Sequence, residues 1–571
     1  MKKLSLFLII ILLGCNSNNL TEDKLENIIS KYEDFRPSDS NEFPLGEFSR
    51  EHYKNIAEFS SDLLDELNDI DFNKLNESDR ISAELLKFVL NDRIDYYEFE
   101  RFLNPLLSDS GFHISLGFIV RPISSFESAK NYLKRLNSID NFVDQHLGNL
   151  RESLKKGTSQ PKVIFKGYES TYDSHITKTV EENHFFSPFK NLPDNINDLQ
   201  KDSIITQAKL AIENKVIPQF KRIKEFFETE YIPNTRETIG VSEIPNGLKY
   251  YQNRINYYTT SNLYDPKSIH EIGLSEVKRI KDEMFKIIED LNFQGNFSDF
   301  LNYLRTDSKF YADSPEELLM IARDMAKRAD EQLPRFFKTL PRKPYGVAPV
   351  PSSIAPKYTG GRYVGTSKNS TQPGYYWVNT YNLKSRKLYT LPSLTVHEAV
   401  PGHHLQGSLN NELSDDIPQF RRNLYLSAYG EGWGLYTEFL AEEMGMYTTP
   451  YEHFGKLTYE MWRASRLVVD TGIHALGWTR DQAIDFMASN TALSLHEINT
   501  EVDRYISWPG QALSYKIGEL KIRELRKIAE EKLQSKFDIR DFHEVILEEG
   551  TVTLAILEER IMNYINNSLK N

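Results

Sequence analysis

The chain has 571 residues, a single cysteine and a formal net charge of −13. With 40% hydrophobic and 26% charged residues it has the balance of a soluble globular protein, long enough to bury a large core. The acidic balance argues against nucleic acid as a partner, because phosphate binding needs a basic surface. The lone cysteine excludes an internal disulfide, so a metal would have to be held by His, Asp and Glu.

The first elements are signals for targeting. Met1-Lys2-Lys3 is a short basic start, Leu4 to Leu13 is apolar but for Ser5, and Gly14-Cys15 follows. The apolar run is too short for a permanent membrane helix, which needs about 20 residues, and fits a secretory signal. The ending Leu12-Leu13-Gly14-Cys15 resembles a bacterial lipobox, which implies cleavage after residue 14 and lipidation of Cys15. Asn16-Ser17 after the cysteine is similar to sorting signals for the outer membrane. The expected location is therefore the envelope of a diderm bacterium, facing the periplasm or the surface. Residues 15–40 are polar and read as the lipidated terminus and its tether.

From about residue 47 to 338 apolar residues recur at three- and four-residue spacing, which predicts helices over Ile56–Leu67, Ser82–Phe102, Ser203–Phe227, Lys267–Leu291 and Ser314–Phe336. Ser314-Pro315-Glu316-Glu317 supplies an N-cap, a first-turn proline and first-turn acid. The texture changes at Pro341: eleven positions from there to Gly374 are Gly or Pro, a density no helix tolerates. Tyr375 to Tyr381 is aromatic and β-branched and predicts a strand. Its edge could hydrogen-bond an extended peptide, with Asn379 and Tyr381 among the residues touching substrate. Beyond residue 391 the pattern is helical to the end.

Three of the thirteen histidines fall in the run His397-Glu398-Ala399-Val400-Pro401-Gly402-His403-His404. Imidazoles can hold a dication while a neighbouring carboxylate takes a proton from its water. Four His-Glu pairs occur in the chain, and only this one has further histidine close behind it. In an unbroken helix His403 would point away from His397, and His404 would share its face but stand about 10.5 Å along the axis. Two nitrogens each about 2.0–2.1 Å from one zinc cannot be that far apart. A joint site therefore requires the helix to be interrupted, and Pro401-Gly402 is a suitable interruption. A two-residue bulge there would return His403 to the place of an i+4 ligand, leaving His404 as a neighbour or substrate contact. The third ligand is sought in Tyr429-Gly430-Glu431-Gly432-Trp433-Gly434-Leu435-Tyr436-Thr437-Glu438, with Glu431 first and Glu438 second. A carboxylate on so buried a helix needs a partner such as a metal.

These segments, followed by Asp470-Thr471-Gly472-Ile473-His474 and Pro509-Gly510-Gln511-Ala512-Leu513-Ser514-Tyr515, resemble the bacterial domain-of-unknown-function 885 family, grouped with the gluzincin-type zinc metallopeptidases. The resemblance covers most of residues 41–571. It implies a mainly α, two-lobed fold around a deep channel, similar to the thimet oligopeptidases, with a small sheet beside the active-site helix. The expected division is an N-terminal helical lobe over 41–340 and a catalytic lobe over 341–571. The resemblance also implies His397, His403 and Glu431 as ligands of Zn(2+), Glu398 as general base and a peptide substrate.

Tyr515 is the candidate electrophile for the attacked carbonyl and His474 the alternative. Asp470, one turn before His474, is a candidate for orienting a ligand, as is Glu438. Arg463 and Arg466 could hold a peptide carboxylate. Two other readings remain at this level: a non-catalytic surface lipoprotein that binds nutrients for transport, and a non-haem iron oxygenase, which also uses two His and one carboxylate.

Overall fold

The structure is a computed structural model, and it describes residues 20–570 apart from Ser353. Cys15 and the signal segment lie outside the described residues. The chain is mainly helical with one small sheet. Among the described residues no helix is long and apolar enough to cross a membrane.

The expected tether is shorter than its composition indicated. Residues 20–34 form a helix (α1) whose Leu25, Ile28 and Ile29 are buried with Leu63 and Leu67 of α2 (Arg50–Asn68) and Leu86 and Leu90 of α3 (Glu77–Glu98). Three apolar residues on one face are enough to dock a helix whose other faces are polar. The predicted Ser203–Phe227 helix runs longer, as α4 (Asp198–Ala211) and α5 (Ile217–Glu225) joined and followed by π turns. Then come α6 (Pro266–Asp290) and α7 (Pro315–Phe336), the latter started by Ser314, whose hydroxyl accepts the Glu317 N–H at 3.1 Å.

The Gly/Pro-rich segment folds into a three-stranded sheet of order β1-β3-β2, with β1 Tyr345–Pro349, β2 Gly361–Val364 and β3 Gly374–Val378. β1 is parallel and β2 antiparallel to β3, and Tyr363 lies opposite Tyr376. The predicted strand is thus the central one, paired on both sides, and it stops at Val378. The free edge that faces the histidine run belongs to β2.

The remaining helices frame the site: α8 (Leu391–Glu398), α9 (His403–Asn411), α10 (Ser427–Leu440), α11 (Pro450–Ala475), α12 (Leu495–Ser507) and α13 (Ser514–Leu533). α11 is the axis of the molecule. Its Leu467 joins the core around α8, α10 and α13; Val469 and Ile473 join the core built from residues 106–231; Phe454, Leu457 and Met461 join a third core with α6. Because all three of these cores combine residues from before and after position 340, that position does not divide the hydrophobic interior into two parts.

Candidate metal centre

α8 ends where the sequence required an interruption. Ala399 and Gly402 leave the helical region, with ψ of −112° and −131°. The Gly402 N–H reaches back to the Val396 carbonyl at 2.9 Å and the His404 N–H to the Ala399 carbonyl at 3.1 Å. These bonds span six and five residues where an α-helix spans four, so two residues are looped out and His403 is brought back beside His397. Gly402 is obligatory here: a Cβ at that position would stand 1.9 Å from the His397 carbonyl oxygen. The Trp433 indole N–H donates to the Pro401 carbonyl at 2.9 Å and pins the loop to α10.

The imidazoles of His397 and His403 meet nearly perpendicular, with ring centroids 4.7 Å apart. Each Nε2 is 3.6 Å from Oε2 of Glu431, and one ligand atom from each of the three residues lies within 4.8 Å of the others. Donors bound to one tetrahedral zinc stand about 3.3–3.4 Å apart, so the two 3.6 Å separations are near that spacing and the widest pair would draw together around an ion. His397 Nδ1 is 2.8 Å from Glu438 Oε1, which turns Nε2 towards the cluster. Gly434 makes room for that ring: a Cβ there would be 2.6 Å from His397 Cε1. Tyr425 donates its hydroxyl to Glu431 Oε1 at 3.0 Å and leaves Oε2 to face the histidines. Glu398 Oε2 accepts the Tyr363 N–H from the β2 edge at 2.7 Å.

The electrostatics favour positive charge at the centre. Burial works against a charged His397, yet the carboxylates of Glu431, Glu438 and Glu398 overcome it and raise its pKa to about 10. Burial likewise opposes a charged Glu431, and His397 and His403 hold it well below the ordinary carboxylate range all the same. Three carboxylates around two imidazoles, with Arg463 at 3.6 Å from Glu438, form a pocket that a dication would neutralise.

The model of one bacterial family, described as proteins of unknown function (DUF885), matches residues 39–561. The chain belongs to that family. No curated protein sequence matches it. Among solved structures, the DUF885 chain is similar to one described as a "putative lipoprotein" from Colwellia psychrerythraea. That likeness has 28% identity and a TM-score of 0.83 and covers 96% of this chain and 97% of the other. A second, a "putative lipoprotein of unknown function" from Shewanella oneidensis, shares the fold at 16% identity and TM-score 0.72, covering 96% and 99%.

Other candidates in this DUF885 protein sit elsewhere than expected. His474 is a core residue: its Nδ1 accepts the Val241 N–H at 3.3 Å and its Nε2 bonds the Tyr505 carbonyl at 2.9 Å. Burial lowers its pKa to about 3, so it is a neutral tie between segments and not an electrophile at the centre. Asp470 accepts from the Tyr251 hydroxyl at 2.6 Å and from the Gly510 N–H at 3.1 Å, and orients neither His474 nor a metal ligand. Asn379 is fully buried and donates to the carbonyls of Ala355, Tyr358 and Thr359, so it holds a loop and cannot touch substrate. His404 is buried against Tyr345, with Nδ1 3.2 Å from the Tyr363 hydroxyl, and faces the sheet.

Arg466 bonds the Tyr505 hydroxyl at 2.9 Å and Glu501 at 3.1 Å. Its guanidinium stacks 4.4 Å from the Trp462 ring and 4.5 Å from that of Tyr515, so internal partners hold it and not a peptide terminus. Tyr515 is half-buried beneath it and Tyr381 is exposed. Sequence reasoning missed Tyr425 and Tyr363. The signal for Tyr425 was Gly430, where a Cβ would lie 2.5 Å from the Tyr425 ring. Tyr363 acts on Glu398 through its main chain, which leaves no mark on side-chain identity.

Proposed function

We propose that the protein is a zinc-dependent peptidase that hydrolyses the bonds of short peptides by metal-activated water: His397, His403 and Glu431 hold Zn(2+), and Glu398 is the general base. The observation that carries this reading is the convergence of three ligand atoms within 4.8 Å of one another beside the Glu398 carboxylate, which the Tyr363 N–H holds at the β2 edge. When bound, the ion would bring a water's pKa to about 7 and polarise the attacked carbonyl. Glu398 would take the proton of that water and hand it to the leaving amine. The Tyr363 N–H, now on Glu398, lies on an open strand edge that can pair with an extended peptide. Glu438 keeps His397 in one orientation through the reaction, and Tyr425 keeps Glu431 from turning both oxygens to the ion.

The same reading takes the two-lobed, channel-bearing architecture of the thimet oligopeptidases as the frame for the centre. The Cys15 signal, and the description of both similar structures as lipoproteins, support a lipid-anchored protein of the cell envelope. A purely nutrient-binding lipoprotein would give the His397–His403–Glu431 trio no task, and an iron oxygenase would give Glu398 none. The test is metal content and cleavage of a mixed peptide pool by the wild type and by Glu398→Gln. We expect about one zinc per chain in both and turnover lowered by about 10²–10⁴-fold in the variant, as loss of a general base entails. Equal turnover in the two proteins would overturn the mechanism.

A further inference from the structure

Arg305, Arg386 and Lys387, three partly buried cations near the start of α8, have no ion-pair partner among the described residues. Arg305 donates to the carbonyls of Thr491 and Leu493 at 3.0 and 3.1 Å, and the Lys387 Nζ to that of Ala492 at 3.2 Å. The Arg386 Nε is buried without an acceptor. The three are close enough to act on one another. Burial holds the Lys387 ammonium below its ordinary range, Glu497 works against this, and the charges of Arg305 and Arg386 add to it. Among the described residues Glu497 is the carboxylate that acts on Arg386 and Lys387, and its Oε2 is already taken up in capping α12 through the Ser494 N–H at 2.9 Å. The cluster therefore keeps an excess of positive charge in partly buried surroundings, which is unfavourable until an anion joins it.

The position of the cluster gives that anion a role. Arg386 Nη1 lies 3.7 Å from the point where a Gly360 Cβ would be, and Leu394 of α8 borders the same spot at 3.9 Å. Gly361 then opens β2, and two residues on, Tyr363 donates to Glu398. A strand advances about 3.3 Å per residue, so the Arg386 guanidinium stands roughly 10 Å from the candidate base along the open edge. That is the length of two to three residues of extended peptide. The Tyr358 and Trp377 rings, 6.0 Å apart, and the exposed Tyr381 lie by the same end of the sheet.

We propose that Arg386, Lys387 and Arg305 form an anion subsite that receives a peptide carboxylate, from an acidic side chain or the chain terminus, two to three residues from the bond attacked. This rests on the peptidase reading for its substrate but not for its test. Blocked hexa-alanine peptides with a single Glu walked through each position, and one with a free C-terminus, would be compared with the neutral blocked parent. Cleavage by the wild type and binding to Glu398→Gln, followed by anisotropy of labelled peptides, are measured in parallel. We expect at least a tenfold preference for one Glu position or for the free terminus, the two peptide sets telling these sources apart. The preference should fall about tenfold in Arg386→Ala, persist in Arg386→Lys and weaken with added salt.

Thermal melting of each variant separates loss of the subsite from loss of the fold, and Lys387→Gln gives a second reading should Arg386→Ala be unstable. Cleavage of all peptides without preference, unchanged in Arg386→Ala, would overturn the subsite and leave the peptidase reading standing. Preferential binding of the acidic peptides with no cleavage by the wild type would uphold the subsite and sink the peptidase reading. Absence of both binding and cleavage would end both.

Discussion

His397 shows how much of a candidate ligand's behaviour is set by residues that never touch the ion. Its ring fits only because position 434 lacks a side chain, and its orientation comes from Glu438 at 2.8 Å. Partners that orient a ligand typically change metal affinity by about 10–100-fold when altered. Glu438→Gln keeps the shape and can still accept the Nδ1 proton, but removes the charge that makes the imidazole more basic. We therefore expect zinc affinity to fall about tenfold, measured by competition with a chelator. An unaltered affinity would mean that Glu438 serves packing alone.

At the scale of elements, the centre depends on how α6, α11 and α13 are held together. Lys516 of α13 is completely buried, with its Nζ 2.5 Å from Glu519, 2.8 Å from Glu460 of α11 and 3.0 Å from Glu276 of α6. Arg279 also bonds Glu460, and Arg523 bonds both Glu460 and Glu519. Removing one member of a buried ionic group costs about 3–5 kcal/mol, because its partners are left uncompensated. Lys516→Met should destabilise the protein by about that amount in urea unfolding. A second substitution, Glu519→Leu, should recover part of the loss by removing one of the stranded charges. A neutral Lys516→Met would show that Arg279 and Arg523 compensate the cluster alone.

At the scale of the whole molecule, buried histidines set the response to acid. Burial lowers the pKa of His113, His146, His474 and His543 to about 3 in each case, from an ordinary value of 6.5. A histidine lowered in the folded state binds fewer protons there than in the unfolded chain between those two values. Its contribution is therefore complete above about pH 6.5 and is lost as pH falls towards 3, at about 1.4 kcal/mol per pH unit for each group. His146 is the clearest case: neither ring nitrogen has a hydrogen-bond partner, and Phe48, Phe112 and Phe142 surround it at centroid distances of 4.3–4.6 Å. His146→Leu should lose about 2 kcal/mol less stability than the wild type between pH 7 and pH 5, followed by urea unfolding at each pH. Parallel losses in the two proteins would rule out this source of acid sensitivity.

What residue order alone determined is the local chemistry: the helical periodicity, the Ser314 cap, the break in helix after Pro341 and, above all, the need for a bulge at Pro401-Gly402. Those follow from dihedral limits and helix geometry, which act over a few residues and are visible in a short window. Whatever depends on partners far along the chain was decided by tertiary structure. Asp470, His474, Asn379 and Arg466 are residue types suited to catalysis or binding, and each is instead held by an internal partner that sequence spacing does not reveal. Tyr425, Tyr363 and the unpaired cations at 305, 386 and 387 acquire their places only when loops, strand and helices pack, because proximity in space is not encoded by proximity in order.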